Sequence, residues 1–224
     1  PEELARKHRH LYHVIDPHNW DGIQKHGLLS TSRLLSLFEY SNADRAVIER
    51  QRRPASVRLS HPVHGEAVIN DNIPLIEKAL TPYLDDGLAA ADWYAMLNRR
   101  VFFWVDKTSR DGFLRAQAYQ GRDRLVLVLD TLSVAKRYGE QMELSPINSG
   151  SALRRPPRRG LSTFTPLLKH DYATWRRLRH RVKATPDHIV EVTVVGGVDH
   201  IADHLIERHL VTGAEACWIS LPLV

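Results

Sequence analysis

The chain of 224 residues contains one cysteine, Cys217, and two methionines. A single thiol cannot close an internal disulfide or build a cysteine-based metal cluster, and this scarcity fits a reducing compartment. No run approaches the ~20 uninterrupted apolar residues that span a bilayer. The first residues, Pro1 to Lys7, lack the apolar core of a secretory signal. A soluble, cytoplasmic protein with no membrane partner is therefore expected. There is no Walker loop and no Gly-x-Gly-x-x-Gly, which argues against a P-loop NTPase or a Rossmann dehydrogenase. Histidine is plentiful, with His8, His10 and His13 early and His200, His204 and His209 late. A zincin helix needs glutamate directly after its first histidine, yet Ile201 follows His200, so no metal is expected.

Hydrophobic residues at 43% and charged residues at 25% are ordinary for a globular protein. The length suits one domain over residues 1–224. The net charge of +5 is unevenly spread. Residues 151–183 carry ten Lys/Arg against one acid, Asp171, and leave the remainder net acidic. Arg154, Arg155, Arg158 and Arg159 lie in a Pro/Gly/Ser-rich stretch, Ser145 to Thr165, too long to be an idle connection. Trp175, Arg176, Arg177 and Arg179 follow on a helix expected over Tyr172 to Val182. A basic loop and helix with an interleaved tryptophan read as a nucleic-acid docking surface, supplying charge and a stacking plane for an unpaired base.

The hydrophobic patterning predicts an α+β protein with a helical N-terminal half and a split sheet. Leu11 to Ile15 reads as a first strand, followed by a helix to His26 that Gly27 ends. Helices are expected near Ser32 to Phe38, Asn42 to Arg52 and Ala89 to Leu97, then again at Ser109 to Gln120 and Asp199 to Arg208. Arg100 to Val105 and Arg124 to Asp130 are β-branched, aromatic or aliphatic throughout and read as buried strands. His188 to Val195 is a further strand.

Three features of this pattern carry chemistry. Glu191 interrupts an apolar strand, and a carboxylate there is costly unless it is paired or faces a cleft. Tyr12-His13 places an imidazole on the first strand, ahead of the small-residue turn Gly27-Leu28-Leu29-Ser30-Thr31. Asn98-Arg99-Arg100-Val101-Phe102-Phe103-Trp104 runs a helix end into an aromatic strand.

These elements, in this order, resemble the ADP-ribosyltransferase superfamily, where a first-strand histidine precedes a Gly-Ile-Tyr-Phe-Ala-Asp strand and, later, a strand glutamate. The start, Tyr12-His13-Val14 through Asn19-Trp20, Ile23 and Gly27-Leu28-Leu29-Ser30, is most similar to the DarT-like DNA ADP-ribosyltransferases. The segments Leu97 to Trp104 and Ile147-Asn148-Ser149-Gly150 also resemble bacterial domains of uncharacterised function. Phe102 stands where the superfamily has tyrosine, so stacking is retained without a hydroxyl. The resemblance implies an ADP-ribosyltransferase-like fold with a split, mixed sheet and, as substrate, NAD. It makes Glu191 and His13 catalytic, and gives Tyr12, His13, Arg58, Asn98 and Phe102 to the dinucleotide. Glu191 would stabilise an oxocarbenium-like centre, Phe102 would stack on nicotinamide and Arg58 would face the pyrophosphate. It further implies a nucleic-acid acceptor, DNA in preference, and a toxin or phage-defence role with an antitoxin as partner. Two alternatives stay open: a non-catalytic nucleic-acid-binding module, which an outward-facing Glu191 would favour, and an RNA 2'-phosphotransferase-like enzyme relying on arginine and histidine.

Overall fold

Local chemistry sets most element ends in the computed structural model, which describes residues 1–116, 121–178, 187–212 and 217–223. The chain opens with α1 (Glu2–Lys7) and β1 (His10–Ile15). Asp16 then accepts the His18 amide and turns the backbone into α2 (Trp20–His26). Gly27 ends α2 at φ +83°, where a Cβ would meet the Val198 carbonyl at 2.8 Å. After β2 (Leu28–Leu29), the Ser30 hydroxyl caps α3 (Thr31–Leu37), and α4 (Asn42–Arg50), β3 (Val57–His61) and β4 (Gly65–Ile69) follow. Next come α5 (Glu77–Leu80), α6 (Ala90–Asn98), β5 (Arg100–Trp104) and α7 (Lys107–Leu114), the last capped by Asp106. Then β6 (Arg124–Asp130) leads into α8 (Thr131–Tyr138), β7 (Met142–Ser145), β8 (Thr165–Pro166) and α9 (Tyr172–Leu178). The chain ends with β9 (Glu191–Val195), β10 (Gly197–Val198), β11 (Leu205–Thr212) and β12 (Cys217–Leu221).

The protein is α+β around one eight-stranded sheet of order β12-β11-β6-β1-β5-β9-β7-β8. Every named pairing in it is antiparallel, so the mixed sheet expected from sequence is corrected. Strand β6 sits inside the sheet and is buried on both faces, which explains its unbroken Leu125-Val126-Leu127-Val128-Leu129 run. Leu125, Leu127 and Leu129 meet Leu4, Ile23 and Val134 from the helices of one face. Val126 and Val128 meet Leu114 of α7 on the other. Burying each such side chain is worth about 1.5–3 kcal/mol. A separate cluster gathers Leu75, Leu80, Trp93, Tyr94, Ala152 and Phe164 beside α6.

Two stretches depart from the sequence expectation. Asp199 to Arg208 is not a helix: a three-ten turn at Ile201–Asp203 runs into β11, which pairs with β6 from Leu205 to Val211. Cross-strand pairing to the most apolar strand outweighs a helical spacing of apolar residues. Ser145 to Thr165 is ordered by isolated bridges Leu75↔Ala152 and Leu84↔Arg159 and by a three-ten turn at Leu161–Thr163. The expected ends of the helices at Gln120 and Val182 lie outside the described residues. Among the described residues no helix is long and apolar enough to cross a membrane.

Candidate active site

The site forms where the sheet comes apart. Strand β1 pairs with β6 along its whole length, His10↔Asp130 to Ile15↔Leu125, but joins β5 through one registered pair, Tyr12↔Trp104. Past that pair, the His13 imidazole takes over from the backbone, with Nδ1 at 2.7 Å from the Phe102 carbonyl oxygen. A carbonyl only accepts, so Nδ1 carries the proton and Nε2 is left as an acceptor. Burial holds the His13 pKa down at about 4, which keeps the ring neutral at physiological pH. A cavity of about 620 Å³ opens at this split, and Tyr12, His13, Asn98, Phe102, Trp104 and Glu191 all line it.

Register carries the row further across the sheet, Tyr12↔Trp104↔Glu191↔Ser145, so Tyr12, Trp104 and Glu191 project from one face. Glu191 is only 4% exposed. Its Oε2 accepts two hydrogen bonds from Ser149, one from the amide at 3.1 Å and one from the hydroxyl at 2.7 Å. Oε1 has no hydrogen-bond partner among the described residues. Burial pushes the Glu191 pKa up to about 7, against the two Ser149 donors and the Arg159 guanidinium, which favour the carboxylate. Ser149 is itself held from behind. Its carbonyl accepts from the Trp93 indole at 3.4 Å and from Arg159 Nη1 at 3.1 Å, and Arg159 also donates to Ser151 and Pro157 carbonyls. The loop after β7 is thereby pinned to α6, and the carboxylate to the loop.

At the other end of β5 the cavity meets the half-buried guanidinium of Arg53. Arg53 donates through Nη1 to the Ile48 carbonyl at 2.7 Å and to Asn98 Oδ1 at 3.1 Å, and through Nε to the Asn70 carbonyl at 3.1 Å. Burial lowers its pKa to about 10 against the attraction of Asp71, a carboxylate that already binds Arg122 at 2.8 Å. No hydrogen bond engages Arg53 Nη2 among the described residues, and Arg53 lines the cavity. A cation so placed is a seat for an anion. Asn19 completes this wall by pairing its amide with both backbone groups of Val68.

Of the residues singled out from sequence for the dinucleotide, Tyr12, His13, Asn98 and Phe102 share the cavity with Glu191, and Arg58 does not. Arg58 is exposed on the β3–β4 hairpin, because alternation along β3 turns Leu59 inward and its neighbours out. Asn98 spends its polar atoms on Arg53, Glu49 and Tyr94, which makes it a brace for Arg53. Tyr12 lies beneath the Arg110 guanidinium, 4.8 Å from its ring centre. Phe102 meets the Phe164 ring edge-on at 6.1 Å.

The basic surface also needs correction. Arg154, Arg155, Arg158, Arg176 and Arg177 are exposed, and Arg158 pairs with Asp85. Arg159 is 1% exposed and belongs to the support of Ser149. Trp175 is 2% exposed in the main core, its indole N–H donating to the Asp187 carbonyl at 2.9 Å, so it offers no stacking plane to a ligand. Loop and helix are anchored separately, the loop on Leu75 and Leu84 to either side of α5 and on Trp93 of α6, and the helix through Trp175 on the main core. Arg179 lies outside the described residues. Sequence reasoning missed Ser149, Trp104 and Arg53 as parts of the site. For Ser149 the available signal was a polar Asn-Ser-Gly turn inside a stretch that closes on the core.

Residues 9–205 match the profile of a protein family described as a family of unknown function (DUF7002), and the chain belongs to that family. The matched span contains His13, Arg53, Trp104, Ser149 and Glu191. No curated protein matches the chain.

Proposed function

We propose that this protein has an ADP-ribosyltransferase-like fold and transfers ADP-ribose from NAD to a nucleic acid, with DNA as the favoured acceptor, in the manner of a toxin or phage-defence effector. The observation that carries the reading is Glu191, whose carboxylate is buried beside a cavity at a sheet split, held through one oxygen and open through the other; His13 lines the same cavity from the opposite face of the sheet, where its ring meets Phe103. An open, outward-facing glutamate would have favoured a plain binding module.

In this reading the glycosidic bond from the nicotinamide nitrogen to the ribose C1′ breaks, and nicotinamide leaves neutral with the bonding pair. A lone pair of the acceptor closes the new bond to C1′, and the acceptor's proton passes to Glu191 or to water. Glu191 Oε1 faces the positive charge that develops on the sugar, in a site where burial strengthens the attraction. His13 Nε2, across the split from Glu191, accepts a hydrogen bond from a hydroxyl of the dinucleotide. Arg53, in place of the Arg58 expected from sequence, sits where a pyrophosphate charge would balance its guanidinium. Arg154 and Arg155, just beyond the cavity-lining Leu153, face the acceptor's phosphates.

The test is incubation with labelled NAD and separate pools of single-stranded DNA, RNA and protein. Label should enter a nucleic-acid pool with release of nicotinamide. Glu191→Gln should abolish transfer while NAD still binds, since the carboxylate acts on the transition state. Undiminished transfer by that variant, or no consumption of NAD by the wild type with any pool, would overturn the reading.

A further inference from the structure

We propose that Trp104 is the stacking platform for an unpaired nucleobase of the acceptor strand, a role that rests on the transfer reading above. The strand that carries it uses its aromatics in three different ways. Phe103 is buried in the main core, and Phe102, half-buried, packs edge-on against Phe164. Trp104 is only half-buried and lines the cavity. Its register partner on β9 is Glu191, so indole and carboxylate stand side by side on the same face.

The indole N–H points the same way. Trp93 and Trp175 commit theirs to the carbonyls of Ser149 and Asp187. That of Trp104 has no hydrogen-bond partner among the described residues, which suits a ligand with acceptor atoms at its edge. Across from it, α7 supplies the Phe113 ring at 6.2 Å, tilted by 45°, and Gly112, which leaves space where a side chain would stand. An aromatic plane, an uncommitted donor and open space at the neighbouring Gly112 make a seat for a flat heterocycle.

Position along β5 separates this seat from the one assigned to the donor. Arg53 is tied to Asn98, just before the strand begins, whereas Trp104 is its last residue. At ~3.3 Å per residue, the strand puts about 13 Å between its two ends. The dinucleotide's charge is drawn to the arginine end, and Glu191 turns phosphate away from the tryptophan end. An uncharged base is what that end accepts, its own phosphates remaining at the rim beside Arg154 and Arg155.

The experiment compares the full chain with Trp104→Phe and Trp104→Leu, two apolar replacements that fold where alanine risks a void. Binding of a short fluorescein-labelled single-stranded oligonucleotide is followed by anisotropy without NAD. Trp104→Leu should weaken it by about tenfold, the scale of one stacked base, and Trp104→Phe should recover most of that loss. The same oligonucleotide annealed into duplex should bind the wild type more weakly than the single strand. In transfer assays the leucine variant should raise the KM for oligonucleotide, and transfer should fall at least about tenfold further than oligonucleotide-free hydrolysis of NAD. Equal binding by Trp104→Leu and wild type overturns the assignment, as does equal affinity for duplex and single strand. A parallel loss of NAD hydrolysis and transfer would assign Trp104 to the donor instead. Should the wild type consume no NAD, the transfer reading fails alone, and the anisotropy comparison still decides whether Trp104 stacks a base.

Discussion

Ser149 gives both its amide N–H and its hydroxyl to a single oxygen of Glu191, at 3.1 and 2.7 Å. The arrangement sets a balance. Burial alone drives the carboxyl toward its neutral form, and the two donors with the Arg159 guanidinium pull it back, leaving the pKa at about 7. A group poised there changes charge near physiological pH and is sensitive to each partner.

Removing the hydroxyl should therefore shift the titration upward. A hydrogen bond to a charged group contributes about 1.5–3 kcal/mol, and one pKa unit corresponds to about 1.4 kcal/mol. Ser149→Ala should raise the Glu191 pKa by about one unit or more, since the backbone donor stays. Carboxyl titration by NMR on glutamate-labelled protein reads this directly. A downward shift, or none, would mean that the hydroxyl does not favour the ionised form.

Glu191 also makes stability depend on pH. Its folded pKa of about 7 lies above the ordinary 4.5, so the native state holds the proton more tightly than the unfolded chain. The resulting stabilisation is complete below about pH 4.5 and is lost as pH rises through 7, a change on the order of 3 kcal/mol. Glu191→Gln keeps an acceptor for Ser149 and does not titrate. The variant should match the wild type in urea denaturation at pH 4.5 and exceed it by a few kcal/mol at pH 8. Lower stability of the glutamine variant at pH 8 would contradict the assigned shift.

Trp175 gives a test of a different kind, because its role is packing. Trp175→Ala should cost about 3–5 kcal/mol, the range for a buried aromatic, and remove the indole donor from the Asp187 carbonyl. Arg176→Ala and Arg177→Ala, one and two residues on and exposed, should stay within about 0.5 kcal/mol of wild type. Denaturant midpoints of the three variants separate the two classes.

What could be read from the sequence depended on whether the signal was local. The runs Val101 to Val105 and Leu125 to Leu129 announce buried strands because nothing else keeps so many apolar residues in line, and a lone Glu191 among valines announces an acid needing a reason. Asp199 to Arg208 looked helical because the strand character of its second half, Leu205 to Arg208, comes from pairing with β6, nearly eighty residues earlier. Arg159 looked solvated because a loop rich in Pro and Arg usually is, yet the Leu84 bridge and Trp93 draw it inward. The site followed the same rule. His13 and Glu191 stand out on their own strands, whereas Ser149, Arg53 and Trp104 matter only once loops and strands from distant sequence converge.

His13 closes the split from the β1 side, and its titration runs opposite to that of Glu191. Burial lowers its pKa from 6.5 to about 4, so the folded state prefers the neutral ring. The stabilisation is present above about pH 6.5 and is lost as pH falls through 4, again on the order of 3 kcal/mol. His13→Asn retains an N–H able to donate to the Phe102 carbonyl but carries no titrating group. It should lose some stability at pH 7 through poorer filling of the split, and should abolish most of the wild type's decline between pH 6.5 and 4. Since Glu191 gains stability over part of that same interval, the clean measurement is made in the Glu191→Gln background, comparing urea midpoints with and without the second substitution. Parallel pH curves for the single and double variants would show that the imidazole is not the group whose protonation opens the strand junction.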